Sequence, residues 1–154
     1  MLEWRAASGQ QAADRLAIRE LIDAYAHCAD RRDGQGQLDL FTADAYVAMF
    51  LDSQSTEPSQ EFHGRAALAP VVDSLKNYDM TTHFNGQSTI AIDGDRATGE
   101  TYCITYHLHT VDDQRMMTTM SVRYLDTFVK QDARWLFSER KLFFDWTEKR
   151  PSFT

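Results

Sequence analysis

From Ala13 onward the apolar positions recur at helical spacing. Ile18, Leu21, Ile22, Tyr25 and Cys28 form one stripe, while Arg15, Arg19, Glu20 and Asp23 fill much of the opposite face. This predicts a first helix ending near Asp30, because Arg31-Arg32-Asp33-Gly34 is polar and carries a helix-stopping glycine. Residues 1–12 show no period and read as a flexible N-terminal tail. A short second helix is expected over Gln37–Phe41, then a strand over Ala45–Leu51 and a polar loop over Asp52–Gln60 with Pro58 in it. Arg65–Asn77 returns to helical spacing, with Leu68, Val71, Val72 and Leu75 on one side. Pro70 within it removes a hydrogen bond and should kink the helix or mark a late start.

From Thr81 the period becomes two. Strands are expected near 82–92, 96–109, 116–129 and 134–146, joined at Asp93-Gly94-Asp95, Val111–Arg115 and Lys130–Ala133. Asp-Gly between alternating runs is a hairpin signal, so the four strands read as an antiparallel meander. Helices followed by a meander give the α+β class. The sheet must curl to bury the helices. The expected architecture is a curved, mostly antiparallel sheet wrapped around N-terminal helices, a cone with an internal pocket. One domain is expected over 13–147, with 148–154 as a C-terminal tail.

Composition narrows the function classes. The chain of 154 residues is 43 % apolar and 25 % charged, enough for one domain with a real core. Its formal charge of −7, with no Lys/Arg cluster, argues against nucleic acid or an anionic membrane as partner. Cys28 and Cys103 fall in a helical and a strand pattern and read as buried thiols. No run has the length of a membrane span, and MLEWRAASGQQ lacks the apolar centre of a signal peptide, so a cytoplasmic location is expected.

Particular segments carry a resemblance. Asp14–Ile18, Tyr25–Asp30 and Leu40–Asp44 resemble the opening of SnoaL-like proteins, which belong to the nuclear-transport-factor-like superfamily of α+β cones. Arg123-Tyr124-Leu125-Asp126, Trp135, Arg140 and Asp145-Trp146 look like that family's last hairpin. Bile acid 7α-dehydratase is similar in placing a Tyr five residues before an Asp, with a His opening the first meander strand. Those positions here are Tyr25, Asp30 and His83. Scytalone dehydratase resembles the chain at Asp30, at Thr81-Thr82-His83-Phe84 and at His107, its second pocket histidine; hexachlorocyclohexane dehydrochlorinase shares the Asp30–His83 pair. The family also holds polyketide cyclases, isomerases and ligand-binding members, and nothing here marks a coenzyme A site.

The residue chemistry is consistent with that likeness. Asp30 should sit at the C-terminal end of the first helix, where the dipole disfavours a carboxylate by about 0.3–1 kcal/mol. Either it is a surface turn residue, or it faces inward and accepts the ring N–H of His83, making the other ring nitrogen a base. Burial would raise its pKa and an imidazolium would lower it, so the net direction stays open. Tyr25 lies on the apolar stripe. It reaches the same pocket as Asp30 only if the helix ends or loosens between them; otherwise it is a core tyrosine. His83 shares a strand face with Asn85 and Gln87, which reads as cavity lining or as a surface face. Along the next strand, Thr101, Cys103, Thr105 and His107 face one way and Tyr102, Ile104, Tyr106 and Leu108 the other. The first set is expected to line the pocket; the second, aromatic set should be covered by another copy of the chain.

The reading is a cofactor-independent lyase or isomerase, dehydratase-like, acting on a small apolar ring compound of steroid, polyketide or terpene size. Tyr25, Asp30 and His83 are the expected catalytic residues, and Phe50, Asn85, Thr105 and His107 the expected substrate-binding ones. No metal is expected, since the lone His107-x-His109 pair lacks further ligands. A homo-oligomer, dimer or trimer, is expected. The alternatives are a non-catalytic small-molecule-binding domain, or a polyketide cyclase or epoxide hydrolase on the same fold.

Overall fold

The computed structural model describes residues 8–153. Helix α1 runs from Gly9 to Arg31, starting earlier than the apolar period suggests. The reason is a capping box. Ser8 Oγ accepts from the Gln11 amide at 3.2 Å, and Gln11 Oε1 accepts from the Ser8 amide at 3.4 Å. Residues 9–12 are therefore helical rather than tail, and residues 1–7 of the expected tail lie outside the described residues. The helix stops at Arg32, not at the glycine. Arg32 takes a left-handed conformation (φ 59°), and its guanidinium returns to the Ala29 carbonyl at 2.9 Å.

Helix α2 spans Gly34–Leu38, three residues before its expected start, because Asp33 Oδ1 caps it by accepting from the Gly36 amide at 2.9 Å. Strand β1 is Phe41–Phe50, and β2 (Gln60–His63), absent from the sequence reading, pairs with it antiparallel. The 65–77 segment is helical in three pieces. A 3₁₀ turn over Arg65–Leu68 leads into α3 (Ala69–Ser74), with Pro70 in its first turn, and a second 3₁₀ turn closes it over Leu75–Asn77. Pro70 thus marks the late start of α3, where its missing N–H is harmless.

The meander comprises β3 (Met80–Asp93), β4 (Arg96–Val111), β5 (Gln114–Gln131) and β6 (Arg134–Pro151). Two of its turns place non-glycine residues at positive φ, Asp112-Asp113 at 49° and 59° and Asp132-Ala133 at 49° and 61°, which suits two-residue hairpins. The end of β6 is paired strand rather than tail, since Arg150 and Pro151 lie opposite Met117 and Met116.

The sheet order is β2-β1-β6-β5-β4-β3, with β1 and β6 parallel and the other pairs antiparallel. Register shifts at Asn85/Ser88, Ser121/Val122 and Thr127/Phe128 bend the long strands. The curled sheet holds α1 on its inner face, where Ile18 and Ile22 pack with Phe41, Val122, Phe128 and Phe137 in the core. Edge strand β3 is covered by the same helix: Arg15 and Arg19 donate to the carbonyls of Ile90 (2.6 Å) and Gly86 (2.9 Å). Cys28 and Cys103 are free thiols, Cys103 buried and Cys28 half-buried. Among the described residues no helix is long and apolar enough to cross a membrane.

Candidate active site

A cavity of about 540 Å³ lies between the helices and the inner face of the sheet. Its walls are mostly apolar, with Phe41, Val47, Val122 and Leu142 from the strands and Leu68 and Val72 from the 65–77 segment. Gln60, Pro70 and Ser74 line it while exposed to solvent, so its mouth lies between β2 and α3.

At the end of α1, Asp30 turns inward. Its Oδ1 lies 2.7 Å from His83 Nδ1, its Oδ2 accepts the His83 backbone N–H at 2.9 Å, and Oδ1 also accepts the Thr81 hydroxyl at 2.9 Å. Arg32 donates to Thr81 Oγ1 at 2.7 Å and so ties the helix end to β3. Burial alone would raise the Asp30 pKa, but the hydrogen bonds from His83 and Thr81 outweigh it and hold the carboxyl below its usual range. The direction left open by the sequence is therefore downward. An ionised carboxylate only accepts, so His83 donates to it from Nδ1, and its Nε2 is not engaged by Asp30.

His107 and Thr105 also line the cavity, both buried. The His107 ring lies 5.5 Å from that of His83 and 4.5 Å from Tyr78, centroid to centroid. Neither of its ring nitrogens has a partner, and neither does Thr105 Oγ1. Burial first, then the neighbouring His83 and Arg32, pushes the His107 pKa down to about 4. It is a neutral imidazole at pH 7. Among the described residues no group of three or more His, Cys, Asp or Glu is arranged to hold a metal ion.

Tyr25 lines the same cavity. The helix does not end or loosen between Tyr25 and Asp30 as the sequence reading required, since α1 runs unbroken to Arg31; it is His83, held by Asp30, that lines the cavity alongside Tyr25. The Tyr25 ring meets Phe41, Tyr124 and Phe137 edge-on at 6.0–6.1 Å. Beneath it Arg140, with no exposed surface, makes two 2.8 Å bonds to Asp126. The guanidinium sits 4.1–4.2 Å from the ring centroids of Tyr25, Tyr124 and Phe137. Burial raises the Tyr25 pKa despite the opposing pull of Arg140, so its hydroxyl stays protonated and can donate.

Two residues expected on the cavity wall stand elsewhere. Phe50 stacks on Phe143 at 4.4 Å, because strand alternation puts it on the opposite face of β1 from the cavity-lining Met49. Asn85 is drawn to α1, where its amide donates to the Ile22 carbonyl at 3.3 Å and to Asp23 at 2.9 Å. The helix covers β3 there, and the cavity stops short of it.

Sequence reasoning gave no role to Gln37, Tyr78 or Tyr124, which line the cavity, or to the Asp126–Arg140 pair. A signal for the pair existed. Asp126 alternates with Tyr124 and Phe128 on the inward face of β5, and Arg140 is its cross-strand partner on β6. Opposite charges in register amid apolar neighbours indicate a buried ion pair.

Solved structures share this arrangement of the chain. A candidate scytalone dehydratase from Novosphingobium aromaticivorans is 22 % identical, the match covering 89 % of this chain and 87 % of that one with a TM-score of 0.76. A protein from Kribbella flavida is 21 % identical over 89 % of this chain and 94 % of that one, with a TM-score of 0.77. The hexachlorocyclohexane dehydrochlorinase LinA-type3 from Novosphingobium barchaimii is 15 % identical over 92 % and 91 %, with a TM-score of 0.73. At these identities the likeness is one of fold. No curated protein sequence matches the chain. The family of SnoaL-like domains matches residues 10–141, nearly the whole described chain, and the protein belongs to that family.

Proposed function

We propose that the protein is a cofactor-independent lyase of the dehydratase type, acting on a small apolar ring compound that carries a carbonyl. The observation that supports this best is the 2.7 Å Asp30–His83 contact beside a mostly apolar cavity. His83 Nε2 removes a proton from the carbon next to the carbonyl, and Asp30 stabilises the imidazolium that forms. The C–H electron pair becomes the new C=C bond as the β C–O bond breaks. Tyr25 donates a hydrogen bond to the departing oxygen. The imidazolium then hands its proton to that oxygen, water leaves, and the site is back in its starting state. One base can serve both transfers when the elimination is syn. His107, neutral and unpartnered, is suited to donate to the carbonyl oxygen as negative charge builds there.

The test is turnover of a panel of β-hydroxy cyclic ketones, followed as enone absorbance. Asp30→Asn and His83→Ala should each lower the rate by about 10²–10⁴-fold, and the double variant should be little worse than either single one. Turnover that survives the double substitution would sink the mechanism. Binding of the panel with no turnover by the unaltered protein would favour the ligand-binding reading.

The same proposal includes a homo-oligomer. On the outer face of the sheet Met80 and Phe84 are more than half exposed, and Tyr102 and Tyr106 are 40 % and 39 % exposed. Register places Phe84 opposite Ile104 and Met80 opposite Leu108, so these side chains form one apolar patch that a second copy would cover.

A further inference from the structure

Gln37 lies on no element that carries the dyad. It comes from the five-residue helix α2, is 3 % exposed, lines the cavity, and its Oε1 has no hydrogen-bond partner. An unpaired buried acceptor is destabilising, so it calls for an occupant. The local sequence holds it firmly in place. The Gln37 backbone N–H donates to the Asp33 carbonyl at 2.9 Å, and its carbonyl accepts from Leu40 at 3.3 Å. Gly36 leaves room for the Asp33 cap: a Cβ there would stand 2.3 Å from Asp33 Oδ2. Gly34 packs so closely on α3 that a Cβ would meet Val72 Cγ1 at 3.0 Å. Two glycines and a cap thus fix a neutral amide in an apolar wall.

We infer that Gln37 is a specificity-determining residue, accepting a hydrogen bond from a neutral hydroxyl of the substrate away from the reacting carbonyl. The inference rests on the proposed reading of the cavity as a substrate site and adds to it a second polar group on the ring compound. The group is neutral because an amide cannot compensate a buried ammonium or carboxylate. It is a hydroxyl rather than an ether or second ketone because a hydroxyl can donate to Oε1 and can equally accept from the amide nitrogen, so it suits either orientation of the amide.

The experiment compares binding of 9-fluorenone with that of its four monohydroxy isomers by isothermal titration. Fluorenone is a rigid ring ketone, and the isomers sample four positions for the second group. At least one isomer should bind the unaltered protein about 3- to 10-fold more tightly than fluorenone, the span of one ordinary hydrogen bond. Gln37→Leu should remove that preference while binding fluorenone at least as well. His83→Ala should keep the preference, which separates a failure of this inference from a failure of the dyad mechanism. Gln37→Leu should also leave the melting temperature unchanged or raise it, since it deletes an unpaired buried acceptor. Absence of binding, absence of any hydroxyl preference, a preference that survives both Gln37→Leu and Gln37→Met, or a clear loss of stability in both variants would overturn the assignment.

Discussion

His107 gives the structure a quantitative handle that needs no substrate. It is 6 % exposed, its two ring nitrogens are unpartnered, and burial beside His83 and Arg32 pulls its pKa from 6.5 down to about 4. Because the folded-state value is depressed, the folded protein refuses a proton that the unfolded chain accepts. The stabilisation this represents is complete above the unfolded pKa and is lost as pH falls from there through the folded value. From 6.5 and about 4, the loss between pH 7.5 and pH 5 is about 2 kcal/mol, reduced to about 1–2 kcal/mol because the ring lies at a cavity wall and not deep in the core. The perturbation is His107→Gln, which keeps a polar side chain and does not titrate. Urea unfolding of both proteins at pH 7.5 and pH 5 gives the two differences, and groups common to both cancel. The unaltered protein should lose about 1–2 kcal/mol more than the variant over this interval. Parallel losses would mean that His107 takes up its proton in the folded state as readily as in the unfolded one, and the reasoning about its burial would fall.

Two further outcomes follow from the packing. Arg140→Met leaves Asp126 buried and unpaired and should destabilise the fold by about 3–5 kcal/mol in urea unfolding, whereas adding Asp126→Leu should restore most of the loss. Light scattering at micromolar concentration should find an oligomer, and Tyr102→Lys together with Tyr106→Lys should shift it to monomer without unfolding it; a monomeric unaltered protein would refute the proposed interface.

The parts of the fold that follow from periodicity were readable from the chain. The stripe Ile18–Cys28 locates α1, and the Asp-Gly and Asp-rich turns separate the meander strands. Boundaries set by side-chain caps were not. Ser8 and Gln11 extend α1 backwards, Asp33 draws α2 forward, and Arg32 rather than Gly34 ends the first helix. Strand β2 is four residues long and has too little pattern to register. At the site, the pairing of Asp30 with His83 came from the family resemblance; spacing alone left Asp30 open between a surface turn and an inward-facing partner. Alternation put Thr105 and His107 on one strand face, and the resemblance marked His107 as a pocket residue. Alternation alone misplaced Asn85, since it cannot tell that α1 crosses β3 at that point. Gln37 was invisible for a different reason: only the packing of α2 on α3 turns a polar residue of a short helix into cavity wall.

The central claim is that His83, held by Asp30, takes a proton from carbon. It is tested most directly by following ¹H/²H exchange α to the carbonyl in D₂O by NMR, for any cyclic ketone with an α C–H bond that binds the cavity, because exchange needs the base but not the correct leaving group. The account predicts exchange accelerated by the unaltered protein and lowered by about 10²-fold or more in both His83→Ala and Asp30→Asn. Bound ketones that exchange at the same rate with the unaltered protein and with the double variant would contradict it.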